Sequence, residues 1–299
     1  MTWVRLTNEP YPRLSVVREV SDDGAHHIGP FGSRRAAQDA VDAIHEAVPL
    51  RRCTRRLPKV APAGATACAL AEIGRCSAPC LPRSPDSTIE SAADAGAGTT
   101  TGSASGTAPG TAPGRANGTA ISDTAGGYAA TVDLARSAML GDASAVVTAL
   151  SEQIRRHSRS EEYEQAGDVS RRLGSFLRGA SRTQSIGRLA ACPEVVAARP
   201  TEDAGWELVV IKHARLAATA VAPRGEDPRP HVDALRATAD DVPAPVLPAP
   251  ACHPHEADIV LAWLDRPGTR LVEIDGVWSS PVRSALSYDD LAAAVASSG

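Results

Sequence analysis

Residues 53–80 read CTRRLPKVAPAGATACALAEIGRCSAPC and set four cysteines, Cys53, Cys68, Cys76 and Cys80, in the order C-x14-C-x7-C-x3-C. Four thiols this close in sequence make a ligand set for a soft metal centre, and both iron–sulfur clusters and tetrahedral zinc use such a set. Spacing alone leaves the two open. The segment has little apolar content, so metal binding can take the place of burial in holding it. The reading of everything around it follows from that.

Beside the cysteines lies a basic run. Arg51, Arg52, Arg55, Arg56 and Lys59 fall within nine residues that contain no acid. A formal net charge of -4 for the 299 residues does not announce a nucleic-acid protein, so the local distribution carries the argument: such a cluster can hold phosphates. Aromatic residues make up only 3% of the chain, so its cores must be built from Ala, Val and Leu. No stretch approaches the roughly 20 apolar residues of a membrane span. The N-terminus MTWVRLTNEPYPRL has no apolar core of a signal peptide. These features predict a cytoplasmic protein with no membrane association, in which reducing conditions favour ligand or free thiols over disulfides.

Working outward from the cysteines, WVRL, RLSVVREV and HHIGPF predict three short strands, with SDDG as a turn between the last two. Ser33 is placed to cap a helix that carries Ala37, Val41, Ile44 and Val48 on one face and ends at Pro49. Downstream of the cysteines, residues 81–126 repeat Gly, Ala, Thr, Ser and Pro without an aromatic residue, which predicts a disordered linker. A helix is expected over 128–140. Asp142 should cap a second through about His157, and Ser160 a third to about Leu177. The second and third form an antiparallel αα-hairpin. WELVVIKHARLAATAV predicts a strand pair turning near HARLA. EADIVLAWLDRPGTRLVEIDGVW predicts a helix, a Pro-Gly turn and a strand, and YDDLAAAVAS a last helix. The motif CHPH, at Cys252, His253 and His255, sits in a Pro-rich connector with no fourth partner and is not read as a site.

The words of the motif, and not its spacing alone, resemble the UvrC family, the incision subunit of bacterial nucleotide excision repair. CALAEIGRCSAPC is similar to the family's Pro-Cys-Leu-x-x-x-Ile-x-Arg-Cys-x-Ala-Pro-Cys signature, with Ala67 where the family has Pro. Upstream, YPRL, GPF and PLR-x-C occur in the family's order, and downstream GYAATVDLARSAMLGD resembles the stretch after its cysteines. YEQAGDVSRRL resembles the UVR motif through which UvrC contacts UvrB: Tyr163, Glu164, Ala166 and Leu173 match, whereas Gly167, Ser170 and Arg171 depart. The ending LAWLDRPGTRLVEIDGVWSSPV is similar to actinobacterial proteins that fuse a DEDD-type exonuclease to a UvrC-like GIY-YIG region.

The resemblance implies a 4Fe–4S cluster on Cys53, Cys68, Cys76 and Cys80, with zinc as the alternative. It implies DNA contacts from Arg51, Arg52, Arg55, Arg56, Lys59 and Arg75, and a UvrB-like partner at the 142–178 hairpin through Leu150, Ile154, Tyr163, Glu164, Ala166 and Leu173. The expected fold class is α+β: a truncated GIY-YIG-type sheet and helix at 1–52, the cysteine segment at 53–80, the linker at 81–126, a helical region with the UVR-like hairpin at 127–180, and a small α+β domain at 181–299. The family is nucleolytic, but neither a Gly-Ile-Tyr nor a Tyr-Ile-Gly motif occurs. No catalytic residue is therefore assigned, and the expected role is a DNA-repair protein whose catalytic core lies outside this chain. The alternative is a non-catalytic, metal-stabilised interaction module or a decayed fragment.

Overall fold

A computed structural model describes residues 1–59, 62, 64–73, 76, 78–81 and 127–297. The linker expected at 81–126 falls, apart from Leu81, outside the described residues. Strands β1 (Thr2–Leu6), β2 (Leu14–Val17) and β3 (His26–Phe31) form an antiparallel sheet in the order β2-β1-β3. Val4 pairs with Val16 on one side and with Ile28 on the other. Helix α1 (Arg34–Ala47) begins where Ser33 accepts a hydrogen bond from the Ala36 amide, and it buries Ala37, Ala40, Val41, Ala43 and Ile44. A short α2 (Ala69–Glu72) lies inside the cysteine segment.

Helices α3 (Gly127–Leu140), α4 (Ser144–Arg159) and α5 (Tyr163–Ala190) follow. Asp142 accepts from the Ser144 amide, but it stands one residue before the N-cap position, which Ala143 occupies without a side-chain cap. Ser160 does not cap α5. It terminates α4, donating its amide to the Arg156 and His157 carbonyls. The basic last turn of α4 (Arg156, His157, Arg159) suits a helix C-terminus and carries the helix past His157. Glu161, at φ 59, then reverses the chain.

Helix α5 also runs well beyond Leu177. Its buried stripe of Leu173, Leu177, Ala180, Ile186 and Leu189 continues without interruption, so packing outweighs the cost of about 1 kcal/mol that each internal glycine carries. The division expected at 180/181 therefore falls inside one helix. Nor do 1–52 and 127–180 have separate cores. Val4, Ile28, Ile44, Met139, Leu150, Leu173 and Phe176 form one cluster, which Ala292 of the last helix, α8 (Asp289–Ser297), rejoins.

A second antiparallel sheet has the order β6-β5-β4-β7, from β4 (Glu194–Pro200), β5 (Trp206–Lys212), β6 (Arg215–Ala222) and β7 (Arg270–Asp275). The predicted pair is β5 and β6, turning at His213 and Ala214, both in the left-handed region. β4 was not expected. One face of this sheet packs on α7 (Pro254–Leu264) and the end of α5, through Val260, Leu261, Ile186 and Leu189. The other packs on α6 (Pro228–Thr238), through Val232 and Leu235. His253 of the CHPH motif caps α7, its ring accepting from the His255 amide. The two sheets are tied along α5. Thr183 Oγ1 accepts from the Gly29 amide at 2.6 Å, and Arg182 donates to the Pro30 carbonyl at 2.7 Å and pairs with Asp258 of α7. The architecture is α+β, as the sequence predicts.

Candidate metal centre and basic face

The chain leaves α1 at Val48 and enters the cysteine segment in extended form. All four cysteines are free and half-buried. Cys68 occupies the position before α2, and its carbonyl accepts from the Ala71 and Glu72 amides. Ala78, at φ 50, turns the chain so that its amide donates to Cys76 Sγ at 3.4 Å. Burial raises the Cys76 thiol above its ordinary value, and the thiols of Cys53, Cys68 and Cys80 add to that, while the Ala78 amide opposes it. Cys76 therefore lies within electrostatic range of the other three thiols. The four sulfurs are not drawn to ligand distance: among the described residues no three His, Cys, Asp or Glu side chains are arranged to hold a metal ion. In chemistry the donor set suits a soft metal. It is four thiols, two of which already accept N–H hydrogen bonds.

The second of those bonds comes from Arg51, whose side chain is 0% exposed. Its Nη1 donates to Cys53 Sγ at 3.4 Å, to the Cys53 carbonyl at 2.9 Å and to the Arg55 carbonyl at 2.7 Å. Its Nε donates to the Tyr11 carbonyl at 2.6 Å, and its Nη2 pairs with Glu9 Oε1 at 3.0 Å. Arg51 was expected to face DNA, and the structure corrects this. A guanidinium fully buried among carbonyls, a thiol and a carboxylate is closed off from a phosphate.

The rest of the basic run divides. Arg52 is half-buried and donates to the His45 carbonyl at 3.2 Å. Arg55, Arg56 and Lys59 are exposed, and their side chains form no ion pair with a described residue. Arg75 lies outside the described residues. Sequence reading missed Glu9 and Tyr128. The Tyr128 hydroxyl accepts from the Arg51 amide at 3.2 Å and donates to the Pro12 carbonyl at 2.5 Å, and burial pushes its pKa up to about 12. The only signals for them were NEPYP and GYAAT, neither of which carries chemistry by itself.

The hairpin residues also divide. Leu150 and Leu173 are fully buried and Ala166 nearly so, so they serve the chain's own core and cannot be a docking surface. Ile154 is half-buried against the same core. Arg171 and Arg172 reach α1, pairing with Asp39 and Glu46. Only Tyr163, 69% exposed, and Glu164 stand at the surface. An open cleft of about 620 Å³ belongs to the second sheet, lined by Glu194, Lys212, His213, Arg236 and Glu273. Arg236 is held there by Glu194 at 2.7 Å and Glu273 at 2.6 Å.

Residues 1–90 match the family described as UvrC/Cho excinuclease, middle domain. The boundary expected at 52/53 thus falls inside one family segment, which holds the first sheet, α1 and all four cysteines. Over 288 residues the chain is 31% identical to a protein of Mycobacterium tuberculosis named as a bifunctional exonuclease/endonuclease, covering 95% of this chain and 38% of that protein. It is 36% identical to the UvrABC system protein C of Streptomyces griseus over 88 residues, 29% of this chain and 12% of the relative. With the UvrABC system protein C of Nitratidesulfovibrio vulgaris the identity is 40% over 81 residues, 26% of this chain and 11% of the relative. The chain spans well under half the length of these relatives. No solved structure matches it significantly. No helix among the described residues is long and apolar enough to cross a membrane.

Proposed function

We propose that this chain, UvrC-like across residues 1–90, serves bacterial DNA repair of the nucleotide-excision type as a DNA-binding part, working in the cytoplasm, with the incision chemistry supplied by residues it does not contain. The observation that carries the reading is the pairing of a four-thiol segment with an exposed basic turn: Cys53 lies two residues from Arg55 and three from Arg56. Cys53, Cys68, Cys76 and Cys80 hold a 4Fe–4S cluster, or zinc in its place, and the centre fixes a loop with little core of its own. That loop sets Arg55, Arg56 and Lys59, with Arg52 at its edge, against a DNA backbone, and Arg75 is a further contact proposed from the sequence. Such contacts give affinity with little sequence preference. At the α4–α5 turn, Tyr163 and Glu164 form the part of the hairpin open to a UvrB-like partner.

The test has two readouts on anaerobically purified chain. Iron, sulfide and zinc analysis should give a cluster, or one zinc, for each chain. Duplex binding followed across a salt series should show a slope that falls by about 0.9 for every phosphate contact removed. Replacing Arg55, Arg56 and Lys59 together by Ala should therefore flatten it by nearly 3. DNA affinity indifferent to that triple replacement would sink the DNA reading. A chain without bound metal would sink the metal reading.

A further inference from the structure

Arg51 is the largest of the fully buried side chains, and its contacts come from three separate pieces of chain. Tyr11 and Glu9 belong to the loop between β1 and β2. Cys53 and Arg55 belong to the cysteine segment. Tyr128, at the start of α3, holds the Arg51 amide. Nε and Nη1 donate hydrogen bonds and Nη2 is ion-paired with Glu9, in a planar fork that no other side chain reproduces. Two consequences meet at one residue. Nη1 fixes the Cys53 sulfur and carbonyl, and the same Nη1 fixes the Arg55 carbonyl, so the backbone turn that brings Cys53 inward sends the side chains of Arg55 and Arg56 to the surface.

We propose that Arg51 is the positioning residue of the four-cysteine centre, holding the Cys53 sulfur towards it and the Arg55–Arg56 turn towards DNA through one set of hydrogen bonds. The proposal rests on the reading of a metal centre given above. Glu9 neutralises the buried guanidinium, so the cation is retained without solvent. A merely structural strut would change stability alone. A positioning residue changes how firmly the metal is held and how the basic turn is presented. Groups that orient metal ligands from outside the ligand set are worth about 10–100-fold in metal affinity.

The experiment compares the wild-type chain with Arg51→Lys and with the double variant Arg51→Met/Glu9→Met, all purified anaerobically. The double variant removes both members of the buried ion pair, which leaves no stranded charge and keeps the chain foldable where Arg51→Lys is not. Metal and sulfide content, the rate of metal loss to EDTA, far-UV circular dichroism and the salt slope of duplex binding are measured. The expected result is native helix and strand content with metal loss at least about tenfold faster, and a salt slope reduced by up to about 2, for Arg55 and Arg56. Folded variants that keep metal and salt slope as the wild type does overturn the proposal alone. A wild-type chain that holds neither iron nor zinc overturns the metal reading, and this proposal with it.

Discussion

The backbone amide of Arg51 donates to the hydroxyl of Tyr128 at 3.2 Å, joining the entrance of the cysteine segment to the first turn of α3 across 77 residues of sequence. The same hydroxyl donates to the Pro12 carbonyl at 2.5 Å, and the Tyr128 ring stands edge-on to Tyr11, with centroids 5.7 Å apart. In Tyr128→Phe the ring contact survives, but a buried amide and a carbonyl lose their partner. The expected cost is about 1–3 kcal/mol. Urea unfolding should show a lower midpoint with an unchanged slope; an unaltered midpoint would mean that water replaces the hydroxyl.

Among the described residues Glu9 is the sole carboxylate paired with Arg51, and it is itself largely enclosed. Its Oε1 also accepts from the Thr7 hydroxyl at 2.6 Å. Glu9→Ala leaves a fully buried guanidinium without its counter-charge, a class of change that costs about 3–5 kcal/mol. Arg13→Ala removes a partner of the same carboxylate at 3.5 Å whose side chain reaches solvent, and should cost under about 1 kcal/mol. Comparable losses in the two variants would show that Arg51 finds another partner.

What the sequence made legible and what it hid follow one physical line. β1 to β3 were readable because β-branched and aromatic residues alternate between turn signals, and α1 because Ser33 and the spacing of Ala37, Val41 and Ile44 are local facts. β4 was missed because EVVAARP is half alanine, arginine and proline, and becomes a strand by pairing with β5 on one side and β7 on the other. The length of α5 was missed because Gly179 and Gly187, beyond Leu177, are weak helix formers until the neighbours that fill the space beside them, Phe31 and Pro248, are known. The candidate site was half legible. The thiols and the exposed arginines announce themselves by type and spacing. The burial of Arg51 does not, because what encloses it, Glu9, Tyr11 and Tyr128, is distant in sequence. The stripe of Leu150 and Leu173 was also readable, but not what covers it.

Gly179 shows why a glycine inside α5 is required. A Cβ at this position would fall inside the van der Waals envelope of the Phe31 ring, at the end of β3. Gly179→Ala gains about 1 kcal/mol of helix propensity, but it must displace a ring buried in the core, at a cost of about 1–3 kcal/mol. Net destabilisation is expected. A double variant with Phe31→Leu should recover part of the loss, because the smaller side chain vacates the space. Simple additivity of the two changes, measured by chemical denaturation, would rule out the clash.

Acid should weaken the N-terminal layer well before its carboxylates protonate. His45, in the last turn of α1, has its pKa lowered to about 4, first by burial and then by the Arg52 guanidinium; its Nδ1 is buried without a partner. Burial also lowers His26 and His27, with Arg136 and Arg5 adding in turn. A histidine depressed in the folded state is neutral there while the unfolded chain, titrating at about 6.5, already carries its proton. The stabilisation is therefore complete above pH 6.5, declines as pH falls through the interval to about 4 for His45, and is flat below that. The decline approaches about 3 kcal/mol for a fully sequestered ring and is smaller for one half-buried, as His45 is. The helix C-terminus, which favours a cation by about 0.3–1 kcal/mol, narrows the window without reversing its sign. Unfolding free energies at pH 7.5, 5.5 and 4.5 should fall in that order, and His45→Gln should flatten the series while leaving its backbone carbonyl to accept from Arg52. An equally steep series in the variant would assign the pH dependence to other groups, His26 and His27 first among them.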